Sequence, residues 1–189
     1  MKKFAALIIG IILSFNAFSL DVGGIDMPET IRSTDNTELQ LNGAGIRAKW
    51  FMDLYVGGLY LETKQQDAAT ILSADKPMAI RLHMVSDLIT SEKMTNATIE
   101  GFEHATNGET KPFQTEIETF LSSFAEPIKA GDIFDFYYLP GKGITILKNG
   151  VFAQTINSDV EFKKALFGIW ISDQPAQKSL RKEMLGQRS

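Results

Sequence analysis

The alternation of apolar and polar positions divides the chain into strand-like and helix-like stretches. Met78, Ile80, Leu82 and Met84 alternate with Ala79, Arg81, His83 and Val85, a period of two that predicts a half-buried β-strand. Leu39 and Leu41 begin another strand, which leads into Asn42-Gly43-Ala44-Gly45, read as a turn. Ile46 to Phe51 and Leu54 to Leu61 read as two strands or one long bent strand, rich in β-formers such as Tyr55, Val56 and Tyr60. Gly57-Gly58 inside this run marks a bulge or a close approach of backbone or ligand. Ile133 to Leu139 is an aromatic strand, and Pro140-Gly141-Lys142-Gly143 turns it into Ile144 to Leu147. Asn149-Gly150 is a type I′ hairpin signal closed by Val151 to Ile156. Leu20 to Thr37, rich in Gly, Asp, Pro and Thr, is expected to be a leading arm with one short strand.

Helical periodicity fills the gaps. Asp67 to Ser73 can cap and form a short helix. Thr90 or Ser91 opens a longer one, with Met94, Ala97, Thr98, Gly101, Phe102 and Ala105 at helical spacing and Asn107-Gly108 as its stop. Lys111-Pro112 starts a third, with Phe113, Ile117, Phe120, Leu121 and Phe124 on one face. Ser158-Asp159 with Glu161 caps a fourth through Ile169, and Pro175 to Leu185 supports a short terminal helix. Strands, then two helices, then an antiparallel meander, then helices again define a segregated α+β chain. One sheet with a helical layer on one face is the economical packing.

The amino terminus has a different pattern. Lys2 and Lys3 precede an uncharged apolar run from Phe4 to Leu13, and Ala17-Phe18-Ser19 places small residues at the −3 and −1 positions of a cleavage site. That is the layout of a secretory signal peptide over residues 1–19, and the apolar run falls short of the roughly 20 residues that span a bilayer. Its removal leaves about 170 residues, 20–189, enough for one domain with a real core. The expected location is the periplasm, and no membrane-spanning segment is expected in the mature chain. The formal net charge is −4, and loss of the two lysines makes it more acidic, which disfavours nucleic acid as a partner. With no Cys in the chain, disulfides, thiolate metal sites and a cysteine nucleophile are excluded.

Conventional catalytic signatures are absent: no G-x-S-x-G, Walker loop, H-E-x-x-H or dinucleotide fingerprint. The two histidines, His83 and His104, read as ordinary surface or boundary residues, so neither metal nor cofactor is expected. Arg47 carries more information. It sits among Ile46, Trp50, Phe51, Leu54, Tyr55 and Tyr60, and a guanidinium in such surroundings must be paired or must contact a ligand. Its planar fork suits a carboxylate or an enolate-like oxygen. Tyr55 can add a hydroxyl to the same anion if the chain bends between them. The alternatives are that Arg47 pairs with a structural carboxylate such as Asp53, or reaches solvent.

Leu41-Asn42-Gly43-Ala44-Gly45-Ile46-Arg47 followed by Tyr55-Val56-Gly57-Gly58-Leu59-Tyr60-Leu61-Glu62 resembles the first sequence block of the chalcone isomerase-like superfamily. Asp87 to Met94 resembles its strand-to-helix junction. Phe162 to Ile171, with Pro175 and Lys178-Ser179-Leu180 after it, resembles its C-terminal block. The resemblance implies an open-faced β-sandwich: a large antiparallel sheet, a layer of helices and a cleft between them. It also implies one of two activities. In the isomerases an arginine holds the phenolate nucleophile, while Thr, Tyr and Asn side chains support the ketone and a water. In the fatty-acid binders the same arginine and a nearby tyrosine hold a carboxylate.

Arg47 matches the shared arginine, and Tyr55 falls near the binders' tyrosine. The isomerase tyrosine and asparagine fall near Thr90 and Ala97, with Asn96 one position away, and a late hydroxyl falls on apolar Ile169. The electrophile-polarising half of the isomerase site is therefore missing, and that half carries most of such catalysis. Three readings follow. The first is a non-catalytic exported domain binding a small hydrophobic acid, such as a fatty acid, through Arg47 and Tyr55. The second is an isomerase (intramolecular lyase) acting on a chalcone-like phenolic enone, with Arg47 as its catalytic residue. The third is a structural or partner-binding domain, which requires the segment around Gly57-Gly58 to be packed shut.

Overall fold

The computed structural model describes residues 19–187; apart from Ser19, the expected leader lies outside the described residues. Two short strands, β1 (Ser19–Val22) and β2 (Ile25–Pro28), form a hairpin of their own. Seven further strands follow: β3 (Thr30–Arg32), β4 (Glu38–Lys49), β5 (Met52–Leu61), β6 (Met78–Met84), β7 (Ile133–Leu139), β8 (Gly143–Lys148) and β9 (Val151–Ile156). They make one antiparallel sheet whose spatial order is the sequence order. Five helices are inserted or appended: α1 (Ala68–Ser73), α2 (Ser91–Ala105), α3 (Gln114–Ser122), α4 (Val160–Ile171) and α5 (Lys178–Met184). The architecture is the expected α+β one, a large antiparallel sheet with helices on one face.

The caps show why these helices start where they do. The side chains of Asp67, Thr90 and Asp159 accept from the first free amides of α1, α2 and α4, the usual chemistry of a helix start. Asn149 and Gly150 both have positive φ (54° and 75°), as the β8–β9 type I′ turn requires. Between β6 and β7, a single 3₁₀ turn (Lys111–Phe113) precedes α3, and Pro112 is accommodated there because first-turn amides have no intrahelical partner. Phe124 lies beyond the end of α3 yet is buried.

The sheet separates two cores. On the helical face, Leu59, Ile80, Leu82, Phe134, Phe136, Ile144 and Ile146 meet Phe102, Phe120, Phe162, Leu166 and Leu180. Phe120 packs edge-on to Phe136 at 4.9 Å, and Trp170 stacks on Phe136 at 6.0 Å. On the other face, Leu39, Leu41, Val56, Tyr60, Ala79 and Tyr137 pack with Met27 and Ile31. Thus the leading arm holds three short strands, not one, and its Met27 roofs this second core. Its residues pair because Ile25, Met27 and Ile31 can bury side chains there, a gain invisible to local propensity.

The sequence reading of Gly43-Ala44-Gly45 as a turn is corrected: these residues lie mid-strand in β4, paired with Leu59, Gly58 and Gly57. Helix α5 lies directly on them. A Cβ at Gly43 would overlap the Glu183 carbonyl oxygen, and one at Gly45 the Glu183 side chain. Gly57 and Gly58 remain in register; the irregularities fall at Asn42 and between Arg47 and Ala48. Leu180 and the Met27 methyl approach Gly57 and Gly58, so close packing, not a bulge, is the reason for this pair.

Two predictions follow from the packing. Gly43→Ala must displace the α5 backbone, and overpacking of this kind costs about 1–3 kcal/mol; a lowered urea midpoint in equilibrium unfolding checks it. All four tyrosines are pushed upward by burial, Tyr137 to about 12 and Tyr55, Tyr60 and Tyr138 likewise above their ordinary value. The folded state keeps protons that the unfolded chain releases near pH 10, so stability is intact below that pH and lost as pH rises through the folded values. Ultraviolet titration should show little phenolate below pH ~11 in the native protein and a transition near ~10 in urea.

Candidate functional site

Arg47 and Tyr55 are cross-strand partners on β4 and β5, on the helical face of the sheet. The short two-residue connection after Lys49 brings them together, so the bend that their pairing required is supplied by a hairpin. Tyr55 is 7% exposed. Its hydroxyl oxygen accepts the Trp170 indole N–H from α4 at 3.0 Å, the partner a buried indole needs. Burial raises its pKa, opposed by the Trp170 hydrogen bond and the nearby Arg47 charge, so Tyr55 is a neutral hydroxyl. Among the described residues, no acceptor bonds its proton.

Arg47 is half-buried and has an unusual set of partners. Its Nη1 donates to the Ala48 carbonyl at 2.9 Å and to Gln177 Oε1 at 2.9 Å. Both acceptors are neutral. Among the described residues, no carboxylate lies within ion-pair distance; Asp53, the sequence-stated alternative, stands opposite Ala48 and is exposed. The contrast with Arg81 is direct. Its Nε and Nη2 make a two-pronged pair with buried Asp135 at 2.7 and 2.9 Å, so its charge is already neutralised by a carboxylate.

The remaining sequence candidates are scattered. Thr90 caps α2, whereas Asn96 and Ala97 face solvent on that helix. Ile169 is buried against Gly101. His83 is half-buried, its pKa lowered by burial and Arg81, and His104 is exposed. Among the described residues, no group of three His, Cys, Asp or Glu side chains could hold a metal. Sequence reading missed Trp170 and Gln177. A buried indole on α4 is a readable signal that a polar acceptor waits nearby; Gln177, 130 positions from Arg47, gave none.

The floor of the site is notable for missing side chains. Along this face of β4 and β5 the register runs Arg47/Tyr55, Gly45/Gly57, then Gly43/Leu59. Helix α5 occupies the strip. One surface concavity lies away from the site, beside Ser122, Lys148 and Gln154, and another, lined by Asn42, Gly43, Ala44, Glu183 and Gly186, adjoins the far end of this strip.

The fold is that of one group of proteins. The chalcone isomerase-like family model matches residues 19–186, and the chain belongs to the chalcone isomerase-like family. Among solved structures it is similar to the Arabidopsis thaliana fatty-acid binding protein AtFAP1, with 19% identity, a TM-score of 0.64, and coverage of 83% of this chain and 96% of that one. No curated protein matches it significantly in sequence.

The pairing pattern predicts different outcomes for the two arginines. Arg81→Met leaves Asp135 buried without its partner and costs about 3–5 kcal/mol. Arg47→Met breaks bonds only to neutral acceptors and changes stability by about 1 kcal/mol or less. Chemical denaturation of both variants checks the contrast.

Proposed function

We propose that this protein binds a small hydrophobic acid, such as a fatty acid, without transforming it, and does so after export to the periplasm. The carrying observation is that a half-buried guanidinium with only neutral acceptors and a buried hydroxyl with a free proton stand side by side at Arg47 and Tyr55. Both are donors, and an anion is what they have in common. A carboxylate would receive charge-assisted bonds from Arg47 and a neutral one from Tyr55. Each tail methylene removed from water adds about 0.8 kcal/mol. The name of the structural neighbour points the same way.

Isomerisation is the weaker reading. It needs groups that polarise the electrophile, yet Asn96 and Ala97 face solvent and Ile169 is apolar. A structural or partner-binding role draws support from one observation: Leu180 closes over Gly57 on the helical face, so the cleft is shut there.

Native mass spectrometry of gently purified protein, followed by denaturing extraction, separates these readings. The expected result is a co-purifying fatty or aromatic acid that is lost in Arg47→Ala while the fold persists. Charge-assisted bonds of about 1.5–3 kcal/mol correspond to at least tenfold weaker binding in that variant. Unchanged affinity in Arg47→Ala would sink the proposal, and Arg47-dependent turnover of a chalcone would replace it with the isomerase reading.

A further inference from the structure

The Gln177 carboxamide is bonded on all sides in a way its position does not require. Its Oε1 accepts from Arg47 Nη1 at 2.9 Å and from the Ala48 amide at 3.0 Å. Its Nε2 donates to the Ile46 carbonyl at 3.1 Å and to Ser179 Oγ at 2.6 Å. Strand β3 pairs only with Glu38 to Gln40 of β4, so beyond it the side chain of Gln177 stands in for a neighbouring strand. Gln177 also immediately precedes α5, the helix lying on Gly43 and Gly45.

We infer that Gln177 Oε1 occupies an anion subsite formed by the Arg47 guanidinium and the Ala48 N–H, and that Gln177 is the latch a ligand carboxylate must displace. This rests on the acid-binding reading above and adds the occupant's competitor and the moving part. The two donors converge on one oxygen, and a carboxylate oxygen satisfies the same two bonds with a full charge behind it. A neutral amide holds the place more weakly, which suits a closure that must open. Displacing Gln177 frees the first turn of α5 and lifts Leu180 from Gly57. The strip beneath runs from Arg47/Tyr55 past Gly45/Gly57 to Gly43/Leu59. Four residues of strand give it a length of about 13 Å; three of its six floor positions, Gly43, Gly45 and Gly57, carry no side chain, and Glu183 in the last turn of α5 lies on Gly43 and Gly45. The acid headgroup sits at the latch and the tail takes the place of Leu180 over Gly57.

The far end of α5 is held independently. Buried Asn42 donates to the Met184 carbonyl at 2.9 Å and accepts from the Gln65 amide at 2.8 Å, and Gln66 reaches the Gly186 carbonyl at 3.1 Å. Release at Gln177 therefore swings the helix about its C-terminal end without detaching it.

The test uses the mature chain, dodecanoate as probe and dodecanol as control, with two variants at one position. Gln177→Ala removes the competitor. If the latched form outweighs the open one by about ten to one, dodecanoate binds roughly tenfold tighter than to wild type, with no such gain for dodecanol. Weaker or unchanged dodecanoate binding to Gln177→Ala, against a binding wild type, overturns the latch.

Gln177→Glu tethers a carboxylate at the subsite and needs no ligand. Its effect on stability is compared in the Arg47 and Arg47→Ala backgrounds. The substitution should be more favourable by about tenfold or more in the unfolding equilibrium when Arg47 is present, and the difference should shrink with salt. Equal effects in both backgrounds overturn the subsite. If no form of the protein prefers dodecanoate to dodecanol, the acid-binding reading fails, and the thermodynamic cycle alone then decides whether the position holds an anion.

Discussion

Helix α5 lies against the backbone of β4, and most of what is distinctive here depends on that contact. Two strand positions, Gly43 and Gly45, carry no side chain, and the Glu183 main chain and side chain fill the space a Cβ would need. Glycine in a strand weakens the strand itself, so the arrangement is stable only while the helix covers the strip. Asn42 ties the two together from the sheet side: it is the extra residue where the β4–β5 register shifts, and its amide bonds the end of α5 and the segment after β5. The closing helix is thus built into the sheet by the same few residues that make a smooth floor under it.

Three cations within the fold meet their needs in different ways, and the differences bear on function. Arg81 is neutralised by Asp135. Lys163, fully buried on α4, donates to the carbonyls of Ile71, Leu72 and Ala74 at 3.0, 2.8 and 2.7 Å, so the carbonyl end of α1 solvates its charge. Its three donors are spent. Arg47 alone of these has a flexible neutral side chain as a main acceptor. Lys163 is held by backbone carbonyls that cannot leave without unfolding the end of α1, and Asp135 can leave Arg81 only by stranding a buried charge. Gln177 can leave by rotating its own side chain, and that places exchangeability at one cation only.

The sequence made the regular elements legible because their signals are local. Alternation in Met78 to Met84, the caps at Asp67, Thr90 and Asp159, and Asn149-Gly150 each act over a few residues, and each element stands where the pattern put it. The α+β class and the family followed from their order and from the blocks around Arg47 and Trp170. The glycines were misread because a strand glycine is explained by what lies on top of it, here residues some 140 positions away. The leading arm was undercounted for the same reason, since its short strands gain stability only by roofing the second core. Arg47 and Tyr55 were legible as donors; Gln177 was not, because a glutamine before a short helix is unremarkable until its partner strand is known.

The closed core limits where a ligand could go. The interior between sheet and helices is occupied by interlocking rings, Phe102, Phe120, Phe124, Phe136 and Phe162, with centroids roughly 5–6 Å apart. Opening a channel through such packing forfeits many contacts at once. Lifting the first turn of a seven-residue helix disturbs far less, and the surface it uncovers is Gly57 beside the donors of Arg47 and Tyr55. A permanently open strip of this kind would leave an exposed apolar patch, which soluble proteins avoid. Helix α5 covers it, and the proposed acid would uncover it by replacing the amide. The shut cleft is then consistent with the binding proposal and does not by itself favour a purely structural role.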